Sequence, residues 1–293
     1  MVPNIALPLL YQRVRLTPTN HRDAPIMTMF QLVLIALIQG ITEFLPISSS
    51  GHLILLPGLT GMEDQGQVID VAAHVGTLAA VILFFWSDVR LAFWGTFRLL
   101  RGKVDTKGAF LALCLLIATV PVIIVGLILK LTGLEDMMRS VAVIGWTMLI
   151  FGIFLYWADQ TGGTERQAEG WTMRHALIMG LWQAVALIPG TSRSGITITA
   201  ARILGYERQD AARLAMLMSI PTIIASAVLL GADVVRTADA AAARDGAIVA
   251  GMSFVAALAA LGIMMRLLRS VSFTPYVIYR VILGIVLLWV AYA

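Results

Sequence analysis

Residues 39–52, with the sequence QGITEFLPISSSGH, are the most informative part of this chain about its fold. This stretch lies inside an apolar region, residues 27–60, and interrupts it with a proline, three serines, a glycine and a histidine. A second stretch, IPGTSRSG at residues 188–195, interrupts the apolar region 172–204 in a similar way. Each half of these regions is too short to cross roughly 30 Å of hydrocarbon. Broken helices of this kind are tolerated at membrane depth only where they line a polar cavity, so we expect two re-entrant helical hairpins.

The composition of the whole chain favours a membrane protein. The 293 residues are 59% hydrophobic and only 13% charged, with a mean hydropathy of +0.87. Soluble domains carry about 25% charged residues, so a soluble globule, a disordered chain and a nucleic-acid-binding module are excluded, and we expect no nucleic-acid partner. The continuous apolar runs also exclude a transmembrane β-barrel, whose strands alternate. The one cysteine, Cys114, excludes an intramolecular disulfide and a cysteine-based metal site.

Six further apolar runs are each long enough to span a bilayer, which takes about 20 residues. They predict an all-α polytopic membrane protein with six transmembrane helices in addition to the two hairpins. The runs cover residues 68–87, 109–130, 140–157, 211–231, 245–265 and 276–292.

The order of these segments predicts an inverted-topology repeat. Each broken region is followed by three spanning runs, so a single membrane domain, residues 27–292, divides into halves at 27–157 and 171–292. Because three is odd, the second half enters the membrane in the opposite orientation, and the site is expected where the two breaks meet. Residues 1–26 hold several charges and four prolines, and we expect a disordered N-terminal extension there.

Loop charge gives the expected orientation. The predicted loop 88–108 carries five Lys or Arg residues, which places it on the cytoplasmic side. The loop 61–67 has no Lys or Arg and carries Glu63 and Asp64, so it falls outside. The first hairpin then opens to the outside and the second to the cytoplasm.

Glu43 is the strongest candidate for a functional group. It stands in an apolar helix, where a carboxylate is expensive and is by default a functional-site hypothesis. Gln39 lies four residues earlier, on the same helix face, and either adds an oxygen ligand for a metal ion or makes an inter-helix hydrogen bond. His74 lies in the first span, where we expect a core histidine, with a site-lining role as the alternative. Arg280, near a span end, is expected to snorkel or to pair.

Both breaks have the residues of an anion site at a helix start. Hydroxyls and free backbone N–H groups at a helix N-terminus cap the helix and also bind phosphate. Arg193 at membrane depth needs an anion, and its planar fork matches phosphate, although a structural ion pair with Glu43 is the alternative. We expect a phosphorylated ligand, with a divalent cation between Glu43 and the phosphates. The remaining phosphate-binding candidates are Ser48, Ser50, Gly51, Thr191, Ser192, Ser194 and Gly195.

At these two stretches the chain resembles the bacitracin-resistance family of undecaprenyl-diphosphate phosphatases, over residues 27–292. The resemblance implies hydrolysis of undecaprenyl diphosphate to undecaprenyl phosphate and inorganic phosphate in the bacterial inner membrane, which recycles the lipid carrier of peptidoglycan synthesis. It also implies Mg²⁺ or Ca²⁺ as cofactor and functional roles for Glu43, Ser49, His52 and Arg193. Some members of that family carry glutamate at the position of Gln39, so a mechanism with two carboxylates is not expected here. A homodimer is a further expectation.

Several alternatives stay open at this stage. The nucleophile is His52, Ser49 or water, and His52 could instead carry a proton. A transporter or flippase of a phosphorylated polyprenyl lipid is the second hypothesis, because inverted repeats with broken helices are also a transporter architecture.

Overall fold

In a computed structural model of the chain, the described residues are 27–61, 65–134, 138, 140–237 and 240–293. The predicted extension, residues 1–26, lies outside them. Within these ranges the regular elements are α-helices, apart from a 3₁₀ turn at Ala168–Gly170 and an isolated β-bridge between Arg166 and Tyr206. The prediction of an all-α protein is confirmed. The helices are α1 (Met29–Thr42), α2 (Ser49–Thr60), α3 (Gly66–Phe84), α4 (Trp86–Leu99), α5 (Lys107–Thr132), α6 (Val141–Thr161), α7 (Met173–Val185), α8 (Arg193–Ile203), α9 (Arg208–Thr237), α10 (Ala240–Leu267) and α11 (Thr274–Tyr292).

Six of these helices are long and apolar enough to cross a membrane, and they coincide with the six predicted runs. They are α3, α5, α6, α9, α10 and α11. Their outer surfaces carry large exposed apolar side chains such as Leu116, Ile150 and Ile282, each more than half exposed. Such a surface suits contact with lipid.

Each predicted broken region contains two short helices joined by a turn. Helices α1 and α2 flank the first break, and α7 and α8 flank the second. The four helices have 14, 12, 13 and 11 residues, which is shorter than a membrane span.

One predicted loop contains a helix instead. Residues 88–108 were expected to be a charged cytoplasmic loop, but α4 occupies Trp86–Leu99. It packs tightly on α5, because a Cβ placed on Gly95 would lie only 2.0 Å from the carbonyl carbon of Gly108. Asp88, at its start, accepts hydrogen bonds from Arg213 at 2.6 and 3.0 Å. The basic residues suggested a loop, yet Arg90 and Arg98 lie on this helix, and Arg101 and Lys103 follow it.

Small residues allow the helices of the core to pack closely. A Cβ on Gly76 of α3 would lie 2.1 Å from the carbonyl oxygen of Ala250 on α10. A Cβ on Gly40 of α1 would meet the Cβ of Ala256 at 2.6 Å. Glycine and alanine at membrane helix contacts permit this backbone approach. Helix α10 therefore holds α1 and α3 side by side.

Candidate active site

Two turns with the same geometry lie at the centre of the site. Ser48 and Ser192 have positive φ angles of 73° and 70°, which are uncommon for residues other than glycine. Each caps the helix that follows, since Ser48 Oγ accepts from Gly51 N at 3.3 Å and Ser192 Oγ accepts from Gly195 N at 3.1 Å. Backbone strain of this kind persists where the surroundings over-determine it, and it is concentrated at functional sites.

The two turns meet. Ser194 Oγ donates to the carbonyl of Leu45 at 2.9 Å, which joins the second turn to the first. Ser50 and Ser194 lie 3.3 and 3.1 Å from Ser48 and Ser192, respectively, hydroxyl to hydroxyl. The N-termini of α2 and α8 therefore lie at neighbouring turns.

Glu43 and Arg193 form a buried ion pair between the two turns. Arg193 Nη2 donates to Glu43 Oε1 at 2.5 Å, and Nη1 donates to the carbonyl of Ser219 at 3.2 Å. Removing either partner would leave a charge unpaired away from water, which is strongly unfavourable. The sequence analysis predicted both residues as site members, and the structure brings them into direct contact.

The other oxygen of Glu43 has a different set of neighbours. Ser49 Oγ donates to Oε2 at 2.7 Å, and Gln39 Nε2 donates to it at 2.9 Å. His74 Nε2 lies 3.8 Å from the same oxygen. Four of the predicted residues, namely Gln39, Glu43, Ser49 and Arg193, thus form one contiguous cluster.

His52 has other partners. Its Nδ1 lies 2.6 Å from the carbonyl of Ser48, and its Nε2 lies 2.5 Å from the hydroxyl of Tyr279. A carbonyl can only accept, so Nδ1 carries the hydrogen and, in the neutral ring, Nε2 accepts from the tyrosine. The two rings are nearly parallel, with centroids 5.7 Å apart. Tyr279 was missed in the sequence, where nothing marked it among the apolar residues of α11.

Arg280 was expected to snorkel or pair near a span end, and this prediction is wrong. Its side chain is fully buried, and it donates to main-chain carbonyls instead of a carboxylate. The acceptors include Pro46 at 3.3 Å in the first turn, and Gly190 and Thr191 at 3.1 and 2.9 Å in the second. Arg280 therefore links the main chains of both turns. The sequence did mark Arg280 as a candidate, because an ionisable residue within an apolar run is by default a functional-site hypothesis.

The residues around Glu43 have the chemistry to hold a divalent cation. Oxygen donors from carboxylate, amide and hydroxyl groups suit Mg²⁺ and Ca²⁺. Gln39 Oε1 is buried and has no hydrogen-bond partner, which is unusual for an amide oxygen. Among the described residues, no group of three His, Cys, Asp or Glu side chains converges, so a cation would need amide and hydroxyl donors as well.

Fold and site together define a multi-pass membrane protein in which two helix N-termini meet beside a buried ion pair. The comparisons with known proteins make the assignment specific. The chain belongs to the family described as bacitracin resistance protein BacA, whose sequence model matches residues 32–286. It is 72% identical over 267 residues to the undecaprenyl-diphosphatase of Jannaschia sp. (strain CCS1), covering 91% of this chain and all of that protein.

Other relatives carry the same name. The undecaprenyl-diphosphatase of Roseobacter denitrificans is 71% identical over 267 residues, again 91% of this chain and 100% of the relative. That of Chromohalobacter salexigens is 46% identical over 268 residues, covering 90% of this chain and 100% of the relative. The family resemblance expected from the two broken stretches is confirmed.

Proposed function

We propose that this protein is an undecaprenyl-diphosphatase, which hydrolyses undecaprenyl diphosphate to undecaprenyl phosphate and inorganic phosphate. The observation that carries the proposal is the buried Glu43–Arg193 pair between two helix N-termini. This arrangement gives a diphosphate group a planar cation and free backbone N–H donors. The names of the relatives support the same substrate. The isoprenoid tail would lie in the bilayer, against the apolar outer faces of the spans.

The reaction begins with in-line attack on the terminal phosphorus. Ser49 is one candidate nucleophile, because its hydroxyl donates to Glu43 Oε2 and the carboxylate can accept the proton that the hydroxyl loses. The bond from the bridging oxygen to that phosphorus then breaks, undecaprenyl phosphate leaves, and water hydrolyses the phosphoserine. Arg193 stabilises the charge that develops on the phosphoryl oxygens.

His52 and water are the other candidate nucleophiles. Attack by His52 requires its Nε2 to lose the hydrogen bond from Tyr279. Trapping of the phosphoenzyme separates the three cases. An acid-stable phosphoryl group assigns the attack to Ser49, an acid-labile and base-stable one assigns it to His52, and direct attack by water leaves no labelled protein.

A divalent cation, Mg²⁺ or Ca²⁺, is part of the proposal. Glu43 and Gln39 would hold it, and when bound it would neutralise charge on the phosphates. The unpartnered Oε1 of Gln39 supports this assignment. The residues proposed to bind the phosphate groups through hydroxyls and backbone N–H groups are Ser48, Ser50, Gly51, Thr191, Ser192, Ser194 and Gly195. The N–H groups of Gly51 and Gly195 would then exchange the Ser48 and Ser192 hydroxyls for phosphate oxygens.

We also propose that the chain is an inverted repeat with two re-entrant hairpins, in one membrane domain of halves 27–157 and 171–292. Each half contains a pair of short helices followed by three candidate spans. At 1.5 Å per residue the short helices are about 16–21 Å long, which is less than the roughly 30 Å of hydrocarbon. The matching conformations of Ser48 and Ser192 support the repeat. Residence in the bacterial inner membrane, bacitracin resistance and a homodimer remain part of this proposal.

Release of phosphate in detergent tests the proposed function against its main alternative. A transporter or flippase of a phosphorylated polyprenyl lipid needs two membrane sides, which a detergent micelle does not have. The purified protein should release inorganic phosphate from undecaprenyl diphosphate in detergent. A folded protein that moves the lipid across vesicles but releases no phosphate in either system would be a transporter.

A further inference from the structure

His74 points a nitrogen at the catalytic carboxylate. Its Nδ1 lies 2.8 Å from the carbonyl of Asp70, one turn earlier on α3. Because a carbonyl can only accept, Nδ1 carries the hydrogen, and the lone pair of the neutral ring is on Nε2. That nitrogen lies 3.8 Å from Glu43 Oε2.

In the neutral form of the ring, two electron-pair donors face each other at this distance, and a cation placed between them would bind both. The separation of 3.8 Å is too long for a hydrogen bond. It is short enough for two metal–ligand bonds of about 2.1 Å to bridge it. Glu43 Oε1 is paired with the charged Arg193, whereas Oε2 accepts only from the neutral groups of Ser49 and Gln39 and faces His74.

The amide of Gln39 provides a second, independent observation. Its Nε2 lies 2.9 Å from Glu43 Oε2, while its Oε1 is buried without a partner. Rotation of the amide by 180° exchanges these two atoms and places Oε1 beside Glu43 Oε2, where a cation would lie between them. Amide orientation follows the hydrogen-bond network, so a bound cation would favour the exchanged form.

We infer that His74 is a ligand of the divalent cation, together with Glu43 and Gln39, and that the site therefore prefers ions that accept nitrogen. The inference rests on the cation site of the proposed function. Imidazole suits transition ions, whereas Ca²⁺ takes oxygen ligands. The mixed set of one nitrogen and several oxygens should bind Mn²⁺ more tightly than Ca²⁺.

Pulsed electron paramagnetic resonance of the purified full chain with Mn²⁺ alone tests this directly. The Mn²⁺ signal should show coupling to one imidazole ¹⁴N. His74→Gln should abolish that coupling and weaken Mn²⁺ binding about tenfold or more, while Ca²⁺ binding changes little. The matched control is His175→Gln, because His175 contacts Tyr206 and Arg166 instead of Glu43; it should keep the coupling.

A second measurement covers the case in which His74→Gln does not fold. The chain has four histidines, and a variant that keeps only His74 can be grown with ¹⁵N-histidine, which should convert the ¹⁴N coupling to a ¹⁵N coupling. Persistence of the coupling in His74→Gln, its absence in Mn²⁺-bound wild type, or failure of Mn²⁺ to bind would each overturn the inference. Failure of lipid hydrolysis with an intact nitrogen coupling would instead overturn only the proposed function.

Discussion

Glu43 uses its two oxygens for different purposes. Oε1 accepts from Arg193 at 2.5 Å, and Oε2 accepts from Ser49 at 2.7 Å and from Gln39 at 2.9 Å. One oxygen therefore compensates the charge of the arginine, while the other faces a candidate nucleophile and the proposed cation site. Each side can be tested separately by substitution.

Arg193→Lys keeps a positive charge but removes the planar fork that can hold two phosphate oxygens. If the fork serves the transition state, kcat should fall about 10²–10³-fold and KM should change less. Steady-state kinetics on undecaprenyl diphosphate in detergent measure both. Arg193→Ala is the comparison, since a merely structural arginine would give a lysine variant with wild-type kcat and an alanine variant that is only less stable.

Ser192 allows a stability prediction, because alanine and glycine substitutions differ there. Its φ of 70° suits glycine, and its hydroxyl caps Gly195 N. Ser192→Ala loses the cap and keeps the strained conformation, so it should destabilise the protein by about 0.5–2 kcal/mol, whereas Ser192→Gly should cost only about a few tenths. Thermal melting without substrate compares them, and equal melting temperatures would contradict the assigned role of the turn.

At the scale of the elements, the site depends on how closely its helices pack. Helix α10 contacts α1 and α3, which carry Gln39 and His74. Helix α11 supplies Tyr279 to the first turn and Arg280 to both turns. The positions of the site residues therefore follow from helix contacts that involve small side chains and main-chain carbonyls.

Gly76→Ala tests this packing. The added Cβ would lie 2.1 Å from the carbonyl oxygen of Ala250, so α3 and α10 must separate, at an expected cost of about 1–3 kcal/mol. Gly251→Ala is the matched control on α10, because nothing lies within 4 Å of its added Cβ. Melting in detergent should show a loss for Gly76→Ala alone; equal effects of the two substitutions would be inconsistent with this interface.

The sequence predicted the features that depend on residues close together along the chain. Continuous apolar runs predicted the six spans, and the proline- and serine-rich breaks predicted the turns that Ser48 and Ser192 form. A lone carboxylate and a lone arginine at membrane depth predicted that Glu43 and Arg193 belong to the site, and their ion pair was the alternative to a phosphate contact of Arg193. Arg280 could not be placed in this way, since its partners are carbonyls 90 and 234 residues away in sequence. Helix α4 was missed because its basic residues are typical of a loop.

At the scale of the whole molecule, neither half can form the site alone. Glu43 and Leu45 belong to the first half, and their partners Arg193 and Ser194 belong to the second. Arg280, in the last span, donates to turns from both halves. The proposed inverted repeat thus explains why the chemistry lies at the junction of the two broken regions.

Labelling of introduced cysteines tests the proposed topology. The two variants are Gln65→Cys and Lys103→Cys, each in a Cys114→Ala background. One candidate span, Gly66–Phe84, lies between these positions, because α4 is too short to cross the membrane. A membrane-impermeant reagent on intact cells should label the residue 65 variant and leave the residue 103 variant unlabelled. Labelling of both positions from one side would break the inverted-repeat proposal.

Phosphate release by wild type and by Glu43→Gln in detergent tests whether the Glu43–Arg193 centre hydrolyses a diphosphate lipid. Wild type should convert each undecaprenyl diphosphate to one undecaprenyl phosphate and one inorganic phosphate. Glu43→Gln removes the charge that pairs with Arg193 and the acceptor for Ser49, so a variant that still purifies as folded protein should be slower by about 10² or more. Wild-type turnover in Glu43→Gln, or no phosphate release by folded wild type, would contradict hydrolysis at this centre.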